Sequence, residues 1–175
     1  AARILGLHAD VHRDHGVALP ELDLGGGFGI AYISAHTPVP VTDLAQGLAR
    51  IVAAECAALG VDVPRISVEP GRAIVGPTTF TLYRVGAVKD VVLDGGVTRR
   101  YVAVDGGMSD NIRTALYDAD YSCTIANRVG SVEPVLSRVV GKHCESGDII
   151  VKDEFLPADL GRGDMVAVPG TGAYC

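Results

Sequence analysis

Apolar and polar positions in the first part of the chain alternate between helical and extended spacing. Ile4, Leu5, His8, Val11 and His12 recur at helical intervals, and Gly16 ends that segment. Glu21-Leu22-Asp23-Leu24 reads as a short strand running into Gly25-Gly26-Gly27. Past a loop containing Pro38 and Pro40, Thr42 is placed to cap a helix over 43–59, closed by Gly60. Its Leu44, Leu48, Ile51, Val52 and Leu59 suit a face packed on a sheet. Arg65-Ile66-Ser67-Val68-Glu69 is the next predicted strand, and Pro70-Gly71 ends it.

From about Thr78 the pattern becomes β-rich. Strands are expected over 80–85, 88–93, 101–104, 124–129, 135–141, 148–151 and 165–168, with Asp94-Gly95-Gly96 as a turn signal. Strand–helix–strand followed mostly by strands predicts an α/β domain over residues 1–77 joined to an all-β domain over 78–175.

Composition then narrows the function classes. The net charge of −6, without a basic block, argues against a nucleic-acid partner. No apolar run is long enough to span a bilayer, and the first residues lack a signal-peptide layout. No membrane association is expected, and the default location is cytoplasmic. Cys56, Cys123, Cys144 and Cys175 are widely spaced, which favours reduced thiols over a zinc ribbon or a disulfide framework. His8, His12 and His15 share a helix face, read as solvated, and no metal is expected. No G-x-S-x-G elbow supports hydrolase chemistry. The chain starts inside a predicted helix and stops just after a turn, so it is expected to be a piece of a longer protein.

Four motifs carry candidate chemistry. Gly25-Gly26-Gly27-Phe28-Gly29 follows a strand and suits either backbone cradling of a phosphate or a plain tight turn. The following Ile30 and prolines argue against a dinucleotide fingerprint. Glu69-Pro70-Gly71-Arg72 presents a carboxylate and a guanidinium beside a bare backbone, or is an ordinary strand-ending turn. Its interest lies in falling one helix after the triple glycine, since neighbouring barrel strands commonly share a phosphate site. His143-Cys144-Glu145-Ser146-Gly147-Asp148 gathers a thiol, a hydroxyl and two carboxylates, or is a polar hairpin. In Asn111–Tyr117, a helical conformation would put Arg113 and Tyr117 on one face, suited to two-point carboxylate binding; a surface turn is the alternative.

Together and in this order, these motifs resemble the fold-type III pyridoxal-phosphate (PLP) decarboxylases of amino acids, along essentially the whole chain. Gly-Gly-Gly-Phe-Gly and Glu-Pro-Gly-Arg are shared across that superfamily, ornithine and arginine decarboxylases included. Cys144-Glu145-Ser146-Gly147-Asp148, Arg113-Thr114-Ala115-Leu116-Tyr117 and Gly172-Ala173-Tyr174-Cys175 are similar to its diaminopimelate decarboxylase branch, with Thr114 where proline is common.

The resemblance implies the last strands of a (β/α)8 PLP-binding barrel, then a C-terminal β-sandwich or barrel-like domain, in a homodimer with shared active sites. It implies that Gly25, Gly26, Gly27 and Gly71 bind the PLP phosphate, that Glu69 pairs with the pyridine nitrogen, and that Tyr174 lies against the cofactor. Arg72, Arg113 and Tyr117 would hold a distal carboxylate of the amino-acid substrate and Glu145 its distal ammonium. Cys144 would stand near the reacting carbon, and both Cys144 and Glu145 would project into the partner's site. The family's Schiff-base lysine belongs to the N-terminal half of the barrel, which Lys89, Lys142 and Lys152 do not match. The implied reaction, conversion of meso-2,6-diaminopimelate to L-lysine and CO2, is the last step of lysine biosynthesis. It therefore belongs to the full-length protein, and this chain alone is expected to be inactive. Rival readings are an ornithine, arginine or carboxynorspermidine decarboxylase, a non-catalytic homologue that binds a partner, and a stand-alone β-rich binding module.

Overall fold

The computed structural model describes residues 1–130 and 133–175. The chain forms two compact units, Ala1–Gly29 with Pro38–Ala73, and Ile30–Thr37 with Ile74–Cys175. The division therefore does not follow the 77/78 boundary suggested by sequence texture, because Ile30–Thr37 and the residues from Ile74 onward group together.

The first unit contains α1 (Ala2–His15), β1 (Glu21–Asp23), α2 (Val41–Leu59) and β2 (Arg65–Ser67). β1 and β2 pair in parallel with Leu22 opposite Ile66, and the crossover that a parallel pair requires is supplied by α2. Gly16 and Gly60 end the two helices at φ 66° and 69°, left-handed positions that glycine adopts without a Cβ penalty. Thr42 is not the cap of α2. The helix starts at Val41 because the extended Pro40 precedes it, and the Pro40 carbonyl accepts the Asp43 and Leu44 N–H groups. Leu5, Val52 and Cys56 form a small core with Leu22, Leu24, Val61 and Ile66 packed on it. His8 is buried while His12 and His15 are exposed, so the histidine face of α1 is not the wholly solvated one expected. Beside this core α2 and β2 leave an apolar groove of about 380 Å³, lined by Ala45, Leu48, Ala49, Val52, Ala53, Val63, Ile66 and Val68.

α3 (Gly71–Val75) leads into the second unit, which holds β3 (Phe80–Val92), β4 (Thr98–Val104), α4 (Arg113–Tyr117), β5 (Thr124–Ile125), β6 (Pro134–Val140), β7 (Ile149–Pro157) and β8 (Met165–Pro169). The strands form one mixed sheet in the order β5-β8-β3-β4-β6-β7, with β4 and β6 parallel and the other neighbours antiparallel. The two strands expected over 80–85 and 88–93 are one. A bulge between Val85 and Val88 lets β3 pair with β8 through its first half and with β4 through its second. β5 is shorter than expected, since beyond Ala126 side chains replace the ladder: Asn127 Oδ1 accepts the Met165 N–H, and Arg128 pairs with Asp159 and Asp164. The core gathers inward-facing residues such as Tyr83, Val102, Val139, Ile150, Leu156 and Val166. Among the described residues no helix is long and apolar enough to cross a membrane.

Candidate functional site

In the first unit, β1 delivers the chain into the glycine turn and β2 delivers it to Glu69. The Glu69 N–H donates to the Gly25 carbonyl at 2.9 Å, which fixes the two loops side by side. Asp23 shapes the turn by accepting the Gly25 N–H at 2.6 Å. Gly25 and Gly27 have φ of 74° and 87°, and a Cβ on Gly26 would overlap the Glu69 carbonyl oxygen. The sequence is thus restricted to glycine by conformation at the outer positions and by close approach at the middle one. The product is a strip of side-chain-free backbone beside a carboxylate. Backbone N–H groups of this kind can receive an anion, and the adjacent carboxylate can hold a protonated ring nitrogen, so the donor set fits a phosphate-bearing pyridine such as PLP. Gly71 and Arg72 follow in the first turn of α3.

In the second unit α4 is a single helical turn with Arg113 and Tyr117 on one face. The Arg113 guanidinium carbon lies 5.7 Å from the Tyr117 ring centroid and 4.8 Å from that of Tyr32. The cation is therefore held between two rings. Arg113 Nε is buried and makes no hydrogen bond among the described residues, so stacking sets the position of this part of the side chain. Tyr32 is braced edge-on by Tyr121, with centroids 5.2 Å apart and rings at 72°. Burial pushes the Tyr121 phenol above its ordinary value, so it stays protonated, and its oxygen lies 3.8 Å from Cys175 Sγ. Neither Tyr32 nor Tyr121 was marked by sequence reasoning, and no local pattern distinguishes Tyr32 within its loop.

Cys144 and Glu145 are exposed on the loop between β6 and β7. Glu145 Oε1 accepts the Ser146 hydroxyl and the Gly147 N–H, each at 3.2 Å. The tail is fixed by Gly172, whose N–H donates to the Gly76 carbonyl at 3.1 Å and whose Cα sits where a Cβ would overlap the Val75 carbonyl. Thr171 adds a hydroxyl bond to Thr81 at 2.9 Å. Tyr174 then stands exposed at φ 63°, an uncommon conformation for a residue with a Cβ. The structure thus brings the triple glycine to Glu69 in one unit and Arg113 to Tyr117 in the other.

Comparison with known proteins agrees with these features. Residues 32–172 match the family model for the C-terminal sheet domain of pyridoxal-dependent decarboxylases. All of the chain is 51% identical to 38% of a diaminopimelate decarboxylase of Corynebacterium efficiens, and 53% identical to 40% of that of Mycobacterium tuberculosis strain H37Rv. The chain thus spans about two fifths of the length of these curated relatives. Its fold is similar to that of M. jannaschii diaminopimelate decarboxylase in complex with L-lysine, with a TM-score of 0.84 and 25% identity over 99% of this chain and 37% of the other. With the match running from Tyr32 to Gly172, the chain belongs to the pyridoxal-dependent decarboxylase family.

Proposed function

We propose that the chain is the C-terminal part of a PLP-dependent decarboxylase that converts meso-2,6-diaminopimelate to L-lysine. The carrying observation is Arg113, held between Tyr32 and Tyr117. A guanidinium stacked in this way suits two-point recognition of a carboxylate, and diaminopimelate, unlike ornithine or arginine, offers one at its far end. Support comes from the diaminopimelate decarboxylases that match the chain along its whole length, and from the neighbour solved with L-lysine.

The roles follow from position and chemistry. When bound, PLP supplies a protonated ring that accepts the electron pair left as CO2 departs. Gly26, Gly27 and Gly71 offer N–H groups to its phosphate, Gly25 lines the cradle with its own N–H held by Asp23, Glu69 holds the proton on the ring nitrogen, and Tyr174 packs on the cofactor. Arg72, Arg113 and Tyr117 bind the distal carboxylate and Glu145 the distal ammonium. Cys144 stands at the reacting carbon, and Cys144 and Glu145 serve the partner subunit's site in a cytoplasmic homodimer. A site that pairs both distal charges rejects lysine, because burying unpaired polar groups is costly.

The first unit contains no lysine. The lysine that links PLP therefore belongs to the further polypeptide that the relatives carry, and the chain alone is inactive. The apolar groove on α2 and β2 supports this reading, since it offers a surface for further α/β structure to cover.

The test is CO2 release by the complete protein from meso-diaminopimelate, L-lysine, L-ornithine and L-arginine. Turnover of diaminopimelate alone is expected, with KM raised about a hundredfold by Arg113→Met as a charged hydrogen-bonded contact is lost. Turnover of ornithine or arginine would favour the related decarboxylases. PLP-independent partner binding without turnover would favour a non-catalytic homologue.

A further inference from the structure

Asp148 precedes β7 and has no part in the roles above, yet its side chain is where two loops meet. The residue is 3% exposed. Its Oδ1 accepts the Met108 N–H at 2.6 Å, and its Oδ2 accepts the His143 N–H at 2.7 Å. Such short bonds to a carboxylate are charge-assisted and stronger than neutral ones. Beside them the Lys142 N–H donates to the Gly106 carbonyl at 2.9 Å, and Ser109 Oγ and His143 Nε2 are hydrogen-bonded at 2.9 Å.

The surrounding backbone is shaped to admit this carboxylate. A Cβ on Gly107 would lie 2.8 and 2.9 Å from its two oxygens, and one on Gly141 would overlap it. The loop through 106–110 leads directly into α4, which is pinned to β7 where Thr114 Oγ donates to the Ile150 carbonyl at 3.2 Å. One buried carboxylate thus joins the loop that carries Cys144 and Glu145 to the segment that carries Arg113 and Tyr117.

We propose that Asp148 is a positioning residue that holds the Cys144–Glu145 loop in fixed register with α4. The proposal rests on the reading that these residues meet the substrate. Both loops are mostly turn and are stabilised little by sheet pairing, so without the clamp their spacing would vary. Because the Cys144–Glu145 loop serves the partner subunit's site, its tip must be held rigidly to the body of its own subunit, which carries α4, for Glu145 to meet a substrate there. The clamp needs a carboxylate, because an amide would turn an N–H donor toward one of the two N–H groups.

The experiment is Asp148→Asn in the complete PLP-loaded protein. Amide hydrogen exchange at Met108 and His143 is expected to accelerate about tenfold or more, and KM for diaminopimelate to rise about tenfold with a smaller change in kcat. The visible absorbance of bound PLP is expected to stay the same, since Gly25–Gly27 and Glu69 belong to the other unit. Gly107→Ala presses on the same contact from the opposite side, should give a weaker version of the same split, and decides the matter if Asp148→Asn fails to fold. Unchanged exchange and KM would overturn the proposal. So would a parallel loss of bound PLP, kcat and thermal stability, which marks general unfolding. Exchange is read without substrate. If the wild-type protein proves inactive on diaminopimelate, the functional reading fails separately, and exchange at the two amides still decides whether the clamp exists.

Discussion

The sheet unit and the α/β unit differ in the size of the core they build. In the sheet, Val102, Val139, Ile150, Val151, Val166 and Val168 all reach 0% exposure. The α/β unit gathers a much smaller core, Leu5, Val52 and Cys56, while both units leave some apolar residues exposed, such as Ile51 and Val63 in one and Phe80 and Phe155 in the other. Its two strands make three residue pairings, and a two-stranded ladder is marginal without further cover. The chemistry is divided in a similar way. The α/β unit presents bare backbone shaped by glycine, whereas the sheet unit presents charged and aromatic side chains on loops held by a finished core. A finished core lets loop side chains be specified by local contacts. The glycine turn is fixed instead by backbone contacts with the Glu69 loop.

The largest expected effect separates the two units directly. All six tyrosines lie in the sheet unit and the chain has no tryptophan, so tyrosine fluorescence reports that unit alone. The far-ultraviolet helical signal comes mainly from α1 and α2. Leu156→Ala should lower the urea stability followed by fluorescence by about 2–5 kcal/mol through the cavity it leaves. Leu5→Ala, though equally buried in its own unit, should shift only the helical signal. Coincident shifts of both signals in both variants would mean that the chain unfolds as one body.

A smaller effect sharpens the account of the sheet unit. Hydrogen bonds from Arg128, then from the Gly161 N–H, hold the Asp164 carboxyl well below its ordinary value of 3.8. A carboxyl depressed on folding contributes stability above its unfolded value and loses it as pH falls toward the folded one. The fluorescence-detected urea midpoint should be flat from neutrality to about pH 4 and then decline, and Asp164→Asn should reduce the decline. An undiminished slope in that variant would assign the acid sensitivity to other carboxylates.

The smallest effect is a rate of alkylation. Burial pushes the Cys123 thiol up to about 12, and Cys56 is 1% exposed, whereas Cys144 is exposed. Cys144 and Cys175, both exposed, should be modified first in native protein. In mild urea Cys56 should follow while Cys123 remains protected, and the reverse order would contradict the weaker packing of the α/β unit.

Much of the fold was legible where local pattern and packing agree. The helical spacing and the glycines at 16 and 60 located both long helices, and the strand–glycine and strand–Glu69 order anticipated the pairing of those loops. Legibility failed where a residue's conformation is decided far along the chain. β7 runs on through Lys152, Asp153 and Glu154, past the strand expected over 148–151, because their backbone is held by β6. Tyr32 lies in a segment with no periodicity, and its position is explained only by Arg113 and Tyr121. Asp148 was visible as part of a motif. Its function as a backbone acceptor depends on Met108, which no sequence spacing links to it.

The placement of Tyr32 has a consequence for the order of events during synthesis. Its ring partners Arg113 and Tyr121 emerge from the ribosome roughly 80 residues later, a delay of several seconds at common rates of translation. Until then the stretch from Ile30 to Thr37 has no native neighbours there, although β1 before it and α2 after it can already be made. A nascent chain paused in that interval would carry an unsheltered aromatic loop between β1 and α2, and that is where a chaperone that binds exposed aromatic residues would find it.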